Sequence, residues 1–168
     1  SSDLRIEVVS QIEGAGVNLG NAVVWASPTD EQKDQTTSAL ANSAELEQRR
    51  RQFNPYILPV QVGVPVSFPN RDDTAHHVYS FSKSNSFEIP LYKKQQPKPI
   101  TFSEPGIVPL GCNIHDWMIA YIVVLDTPYF DQLHDGTLTL EQLVPGTYEI
   151  HLWHPAIDAR ESTTQLVT

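Results

Sequence analysis

From Phe53 onward the chain is cut into short apolar runs of six to nine residues, most of them closed by Gly, Asn or Ser: "YILPVQVG", "VPVSFPN", "HVYSFS", "SFEIPLY", "KPITFS", "GIVPLG" and "MIAYIVVLD". Runs that short are half the length of an ordinary helix, and Val, Ile, Tyr and Phe dominate them, so they read as strands of an antiparallel sandwich or barrel. Thirteen prolines across 168 residues reinforce that reading, because each removes a backbone donor and interrupts a helix. The fold class is all-β. A hydrophobic fraction of 40% is enough for a core, and the length suits one domain with an elaboration.

Outside this block lie further strand signals. "LRIEVV" (4–9) and "NAVVWAS" (21–27) read as two strands that pair across the glycine-rich "EGAGVNLG". "GTLTLEQL" and "TYEIHLWHP" flank a Pro-Gly turn and read as a terminal hairpin. Residues 28–52 are polar and rich in Gln and Ala, with too few apolar positions for a buried face, and read as a linker or a short surface helix. The organisation expected is therefore strands at 1–27, a linker at 28–52, a core domain at 53–125 and a β-hairpin extension at 126–168. Strands 1–27 either complete that core or form a separate flank.

A formal net charge of −9 argues against binding nucleic acid through its phosphates. Seven acids against Arg160 alone fill residues 126–168, whereas Lys83, Lys93, Lys94 and Lys98 gather in the middle. Such patches are ordinarily solvated surface, and they also steer charged partners. No apolar run approaches the roughly 18 residues that cross a bilayer. The start "SSDLRIEVV" suits an exported chain whose signal has been removed, and a trimmed chain equally.

The only cysteine and the only methionine of the chain fall six positions apart in "GCNIHDWM" (111–118), with His115 midway. One cysteine excludes an internal disulfide framework, and a lone thiol in an oxidising compartment has to be buried or bonded. Spacings of three and three suit a tight loop leaving a strand, with Cys112, His115 and Met118 turned toward one point. Thiolate and thioether are soft donors and imidazole is borderline, a set that favours copper over hard ions and over zinc. Three donors leave a gap that a second histidine fills, completing a plane of two imidazoles and a thiolate with a long axial methionine. "FPNRDDTAHHVYSF" (68–81) offers His76 and His77 for that place.

Cys-x2-His-x2-Met, preceded about 35 residues upstream by a histidine that opens a strand and itself follows an asparagine by six residues, resembles the cupredoxin family, and the short ligand loop resembles that of the amicyanins. The resemblance covers about 60 residues. It implies a Greek-key β-sandwich, a mononuclear blue copper site cycling between Cu(I) and Cu(II), and metal ligands His76, Cys112, His115 and Met118, with Asn70 in the asparagine position. Family members often follow the first ligand with another asparagine that ties the two ligand loops; His77 stands there instead. Strand alternation turns His77 away from a metal held by His76 and toward a neighbouring loop, and a slip of one residue would exchange the two. "VNLGNAVVWASP" and "LVPGTYEIHLWHP" resemble pieces of the carboxypeptidase-regulatory or transthyretin-like sandwich.

The function expected from this set is transfer of single electrons to a transient redox partner protein in the periplasm, without catalysis. No nucleophile elbow, zinc-protease helix or phosphate-cradling glycine loop points to hydrolysis. Three other functions fit parts of the pattern: a copper carrier or store, an atypical copper site with an open position, and a scaffold without metal. His134, His151 and His154 read as surface or hydrogen-bonded residues, and Trp117 as packing on the ligand loop or a shield over the metal. The oligomeric state is left open.

Overall fold

The computed structural model describes residues 5–9, 20–29, 41–94, 96–113, 115–156 and 161–167, the first and last of these segments by backbone alone. Among them are sixteen strands and no helix. In chain order the first eight are β1 (Arg5–Val9), β2 (Val23–Pro28), β3 (Ala44–Glu45), β4 (Glu47–Arg49), β5 (Gln52–Asn54), β6 (Ile57–Gln61), β7 (Pro65–Ser67) and β8 (His76–Ser80). The remainder are β9 (Phe87–Tyr92), β10 (Ile100–Thr101), β11 (Gly106–Gly111), β12 (Ile119–Leu125), β13 (Phe130–Gln132), β14 (Thr137–Glu141), β15 (Gly146–Trp153) and β16 (Glu161–Val167). The chain divides into two compact units, Leu40–Asp126 and the pair of segments Ser1–Ala39 and Thr127–Thr168.

Leu40–Asp126 is a sandwich. Its larger sheet runs β6-β12-β11-β8-β9 and its smaller one β10-β7-β3. Alternation along β11 and β12 sends Val108, Leu110, Ala120, Ile122 and Val124 to one face. There they meet Leu46, Val66, Phe68 and Phe102, carried on or beside the smaller sheet, in one buried cluster. Each Val, Leu, Ile or Phe side chain among them contributes about 1.5–3 kcal/mol when fully buried. Gly111 pairs with Tyr79 across β11 and β8, and a Cβ at Gly111 would stand 2.9 Å from the Tyr79 ring, so only glycine lets the two strands close up there.

Two strands, β3 and β4, occupy the segment whose composition suggested a linker or a surface helix; residues 30–40 of that segment lie outside the described residues. Strands of two and three residues are too short to show a period, and their anchors are single side chains. Leu46 enters the core, and Gln48 is fully buried, its Nε2 donating to Leu46 O and its Oε1 lying 2.6 Å from the Tyr92 hydroxyl.

In the other unit the two leading strands do not pair with each other. β1 pairs with β14 and β2 lies between β13 and β15, with β16 on the far side of β15. β14 and β15 therefore part into different sheets instead of closing as a hairpin on the Pro145–Gly146 turn, because each finds a partner strand from the other end of the chain. The loop "EGAGVNLG" lies mostly outside the described residues. Ala22, Val24, Ala26, Leu133, Tyr148 and Ile150 form the core of this unit.

Candidate metal centre

The larger sheet positions the loop that leaves β11. β11 and β12 are antiparallel neighbours, so residues 112–118 form the connection between them, and β8 lies on the other side of β11. Continuing the Gly111↔Tyr79 register carries Cys112 and Asn113 past the first residues of β8, where His76 and His77 stand. A register shift between His76 and Val78 against β9 marks a bulge, a device that re-aims side chains at a sheet end. Met118 donates its backbone N–H to His115 O at 3.0 Å, which closes a tight turn over Asp116 and Trp117.

Cys112 Sγ lies 3.9 Å from His76 Nδ1 and 3.9 Å from His115 Nδ1. The three donor atoms all fall within 4.8 Å of one another, and all three residues are buried. Bonds of about 2.0–2.1 Å to imidazole and about 2.3 Å to thiolate, meeting near 120°, separate nitrogen from sulfur by about 3.7 Å, so one small ion fits this spacing. The thiol is 3% exposed and forms no disulfide. Met118, 1% exposed, belongs to the same core cluster as Cys112, and both line one cleft. His76, Cys112, His115 and Met118 thus form a candidate copper site, its soft donors matched to that metal.

With Nδ1 turned to the thiol, His76 presents Nε2 to Asp72 Oδ2 at 2.8 Å. The carboxylate also accepts the backbone N–H of Arg50 at 2.6 Å and of Arg51 at 2.8 Å. Arg50 and Arg51 have φ of 54° and 57°, successive left-handed residues that turn both amides toward Asp72. Burial raises the Asp72 pKa, but donation from His76 and from the two amides outweighs it and holds the carboxyl below its ordinary value. The side chain of Asn70 ties this loop down: it donates to Thr74 O and Tyr92 O, each at 2.9 Å, and accepts from Asp72 N at 2.9 Å. Beneath it the Tyr92 hydroxyl sits 2.6 Å from Gln48 Oε1 and 2.6 Å from Phe68 O, and burial pushes its pKa well up.

His77 faces away from His76, toward Asn113, whose Nδ2 lies 2.8 Å from His77 Nδ1. Its Nε2 stands 2.9 Å from Glu88 Oε1, off the direction of a hydrogen bond. Trp117 stacks obliquely on His115 with ring centroids 4.9 Å apart and donates its indole N–H to Arg51 O at 3.0 Å. The indole is 62% exposed and the imidazole under it only 8%, so Trp117 forms the outer surface over the His115 ring. Sequence reasoning missed Asp72, Gln48 and the Arg50–Arg51 turn; Asp72, four residues before His76, carried the one available signal. His151 stacks on Trp25 and His154 accepts from Ala156 N, ordinary roles for both, while His134 is exposed.

No family model matches the chain, and no curated protein matches it in sequence. Among solved structures it is similar to a copper-containing nitrite reductase from Thermus scotoductus, at 23% identity and a TM-score of 0.47, over 59% of this chain and 27% of that one. It is also similar to a reduced amicyanin variant, at 23% identity and a TM-score of 0.46, over 60% of this chain and 98% of that one. A purple cupredoxin from Nitrosopumilus maritimus is similar at 20% identity and a TM-score of 0.44, over 49% of this chain and 100% of that one.

Proposed function

We propose that this chain is a mononuclear blue, type 1, copper protein that carries single electrons between redox partners, with His76, Cys112, His115 and Met118 as ligands. The observation that carries the reading is the buried Cys112 thiol, 3.9 Å from an imidazole nitrogen on either side. Copper, when bound, supplies reversible exchange of one electron between Cu(I) and Cu(II). The residues supply the rest. β8 and the 112–118 loop hold the donors at fixed spacing from opposite directions, so little rearrangement accompanies a change of charge. Trp117 and the core cluster keep water from the donors. Partner encounters at such a site are small and transient, and the periplasm suits both the copper and the single cysteine.

A second reading, a copper site with an open position, draws on the cleft of about 560 Å³ whose lining includes Cys112, Met118, Tyr79 and Tyr121. Optical and electron paramagnetic resonance spectra of the copper-loaded protein and of Cys112→Ser test the first reading. An intense visible thiolate-to-copper band that Cys112→Ser abolishes is expected; a colourless Cu(II) form with Cys112 intact would sink it. Azide added to the Cu(II) form leaves the spectrum unchanged if the sphere is filled and alters it if a position is open.

A further inference from the structure

A ligand histidine needs its second nitrogen fixed, and a backbone carbonyl does that with no charge. Here the partner is a carboxylate. Asp72 reaches His76 Nε2 at 2.8 Å, and its side chain is only 12% exposed. It is itself immobilised, because Oδ1 accepts from Arg50 N and Oδ2 from Arg51 N. Those amides converge only because two consecutive arginines adopt the left-handed conformation, which non-glycine residues hold when their surroundings over-determine it. The surroundings are on both sides of the turn: Asp72 holds its amides and Trp117 Nε1 holds the Arg51 carbonyl. The same turn therefore braces the ring of His76 through Asp72 and the cover of His115 through Trp117.

We propose that Asp72 is a positioning residue of the metal centre, which orients the His76 ring so that Nδ1 faces Cys112 and, by its negative charge on the far edge of that ring, lowers the reduction potential. The second half of this inference rests on the copper reading. A negative charge there favours the more positive oxidation state, and a carboxylate acceptor makes the imidazole a stronger donor. A carboxylate that merely capped the Arg50–Arg51 turn would affect stability and leave the potential alone.

The test is spectroelectrochemistry of copper-loaded wild type, Asp72→Asn and Asp72→Glu. Asp72→Asn keeps an acceptor for Nε2 and removes the charge. At a fixed applied potential its Cu(II) to Cu(I) ratio is expected to fall tenfold or more, a rise of at least about 59 mV for one electron, with the visible band retained. Asp72→Glu is expected to return most of the shift. A folded, copper-loaded Asp72→Asn with an unchanged ratio overturns the charge effect. Orientation is read separately in the metal-free protein by proton–nitrogen NMR, where a slowly exchanging His76 Nε2–H is expected in wild type and faster exchange in Asp72→Ala. Fast exchange of that proton in folded wild type overturns the positioning role. Wild type that takes up no copper overturns the electron-carrier reading instead, and the NMR result still decides whether Asp72 holds the ring.

Discussion

Asn113 and His77 each follow a proposed ligand in the chain, and their side chains meet: Asn113 Nδ2 lies 2.8 Å from His77 Nδ1. The contact spans 36 residues and pins the loop that carries Cys112 to the strand that carries His76. The amide nitrogen of Asn113 is a donor, so His77 Nδ1 is the acceptor in this contact.

This contact makes a measurable pair. Asn113→Ala and His77→Ala, alone and together, are expected to show a coupling energy of about 0.5–1.5 kcal/mol in urea unfolding of the metal-free protein. Additive effects would mean that the two side chains do not hold the loops together in solution.

Glu47 gives the stability of the sandwich a pH dependence. Its carboxylate accepts from Arg49 Nε at 3.0 Å, from Arg71 Nε and from Asn54 Nδ2 at 3.3 Å. The bond from Arg49 acts first; those from Arg71 and Asn54 add to it, and together they exceed the opposing effect of burial and lower the pKa from 4.5 to about 2. The unfolded chain takes up the proton at the higher pH, so the stabilisation is complete above about pH 4.5 and is lost as pH falls through about 2. Arg49 and Arg71 are 54% and 40% exposed, which limits the network to about 1 kcal/mol. Wild type is expected to exceed Glu47→Gln by that amount in urea unfolding at neutral pH, with the gap closing toward pH 2. A gap independent of pH would contradict it.

The candidate ligand loop was legible because it is contiguous: three donor types at spacings of three and three leave few chemistries open. His76 was legible at one remove, through Asn70 six residues earlier and the alternation that parts it from His77. The buttress was not. Asp72 is capped by amides 21 and 22 residues earlier, and the triplet Arg49–Arg51 contains no glycine or asparagine to announce a left-handed turn. Gln48 looks like linker composition, yet it is buried because β3 and β4 run beside residues 66–70. In the other unit, periodicity found the strands but not their partners: Arg5 pairs with Glu141, a separation that no local pattern encodes.

Asn70 holds the loop that delivers Asp72 and His76. Its side chain makes three hydrogen bonds at 2.9 Å, two donated and one accepted, in a residue that is 9% exposed. Asn70→Ala leaves Thr74 O, Tyr92 O and Asp72 N without that partner and is expected to destabilise the metal-free protein by about 2–4 kcal/mol. Asn70→Asp keeps the acceptor for Asp72 N, turns two donors into acceptors facing carbonyls, and is expected to be at least as damaging. Denaturant midpoints within error of wild type for both variants would remove Asn70 from this role.

Trp117 separates His115 from water by its ring, and its N–H fixes where the ring lies. Two substitutions divide these effects. Trp117→Phe keeps an aromatic ring on the imidazole and loses the bond to Arg51 O, an exposed neutral bond whose loss is expected to cost about 0.5–1 kcal/mol of stability. Trp117→Ala removes the cover as well. If the cover raises the barrier to copper release by about 1 kcal/mol, its removal speeds transfer to a chelator about fivefold. Stopped-flow transfer from the copper(I) form to a chromogenic chelator is expected to rank Trp117→Ala fastest, then Trp117→Phe, then wild type. Equal rates for all three would mean that release proceeds by another face, and the cleft beside Cys112 and Met118 is then the place to look.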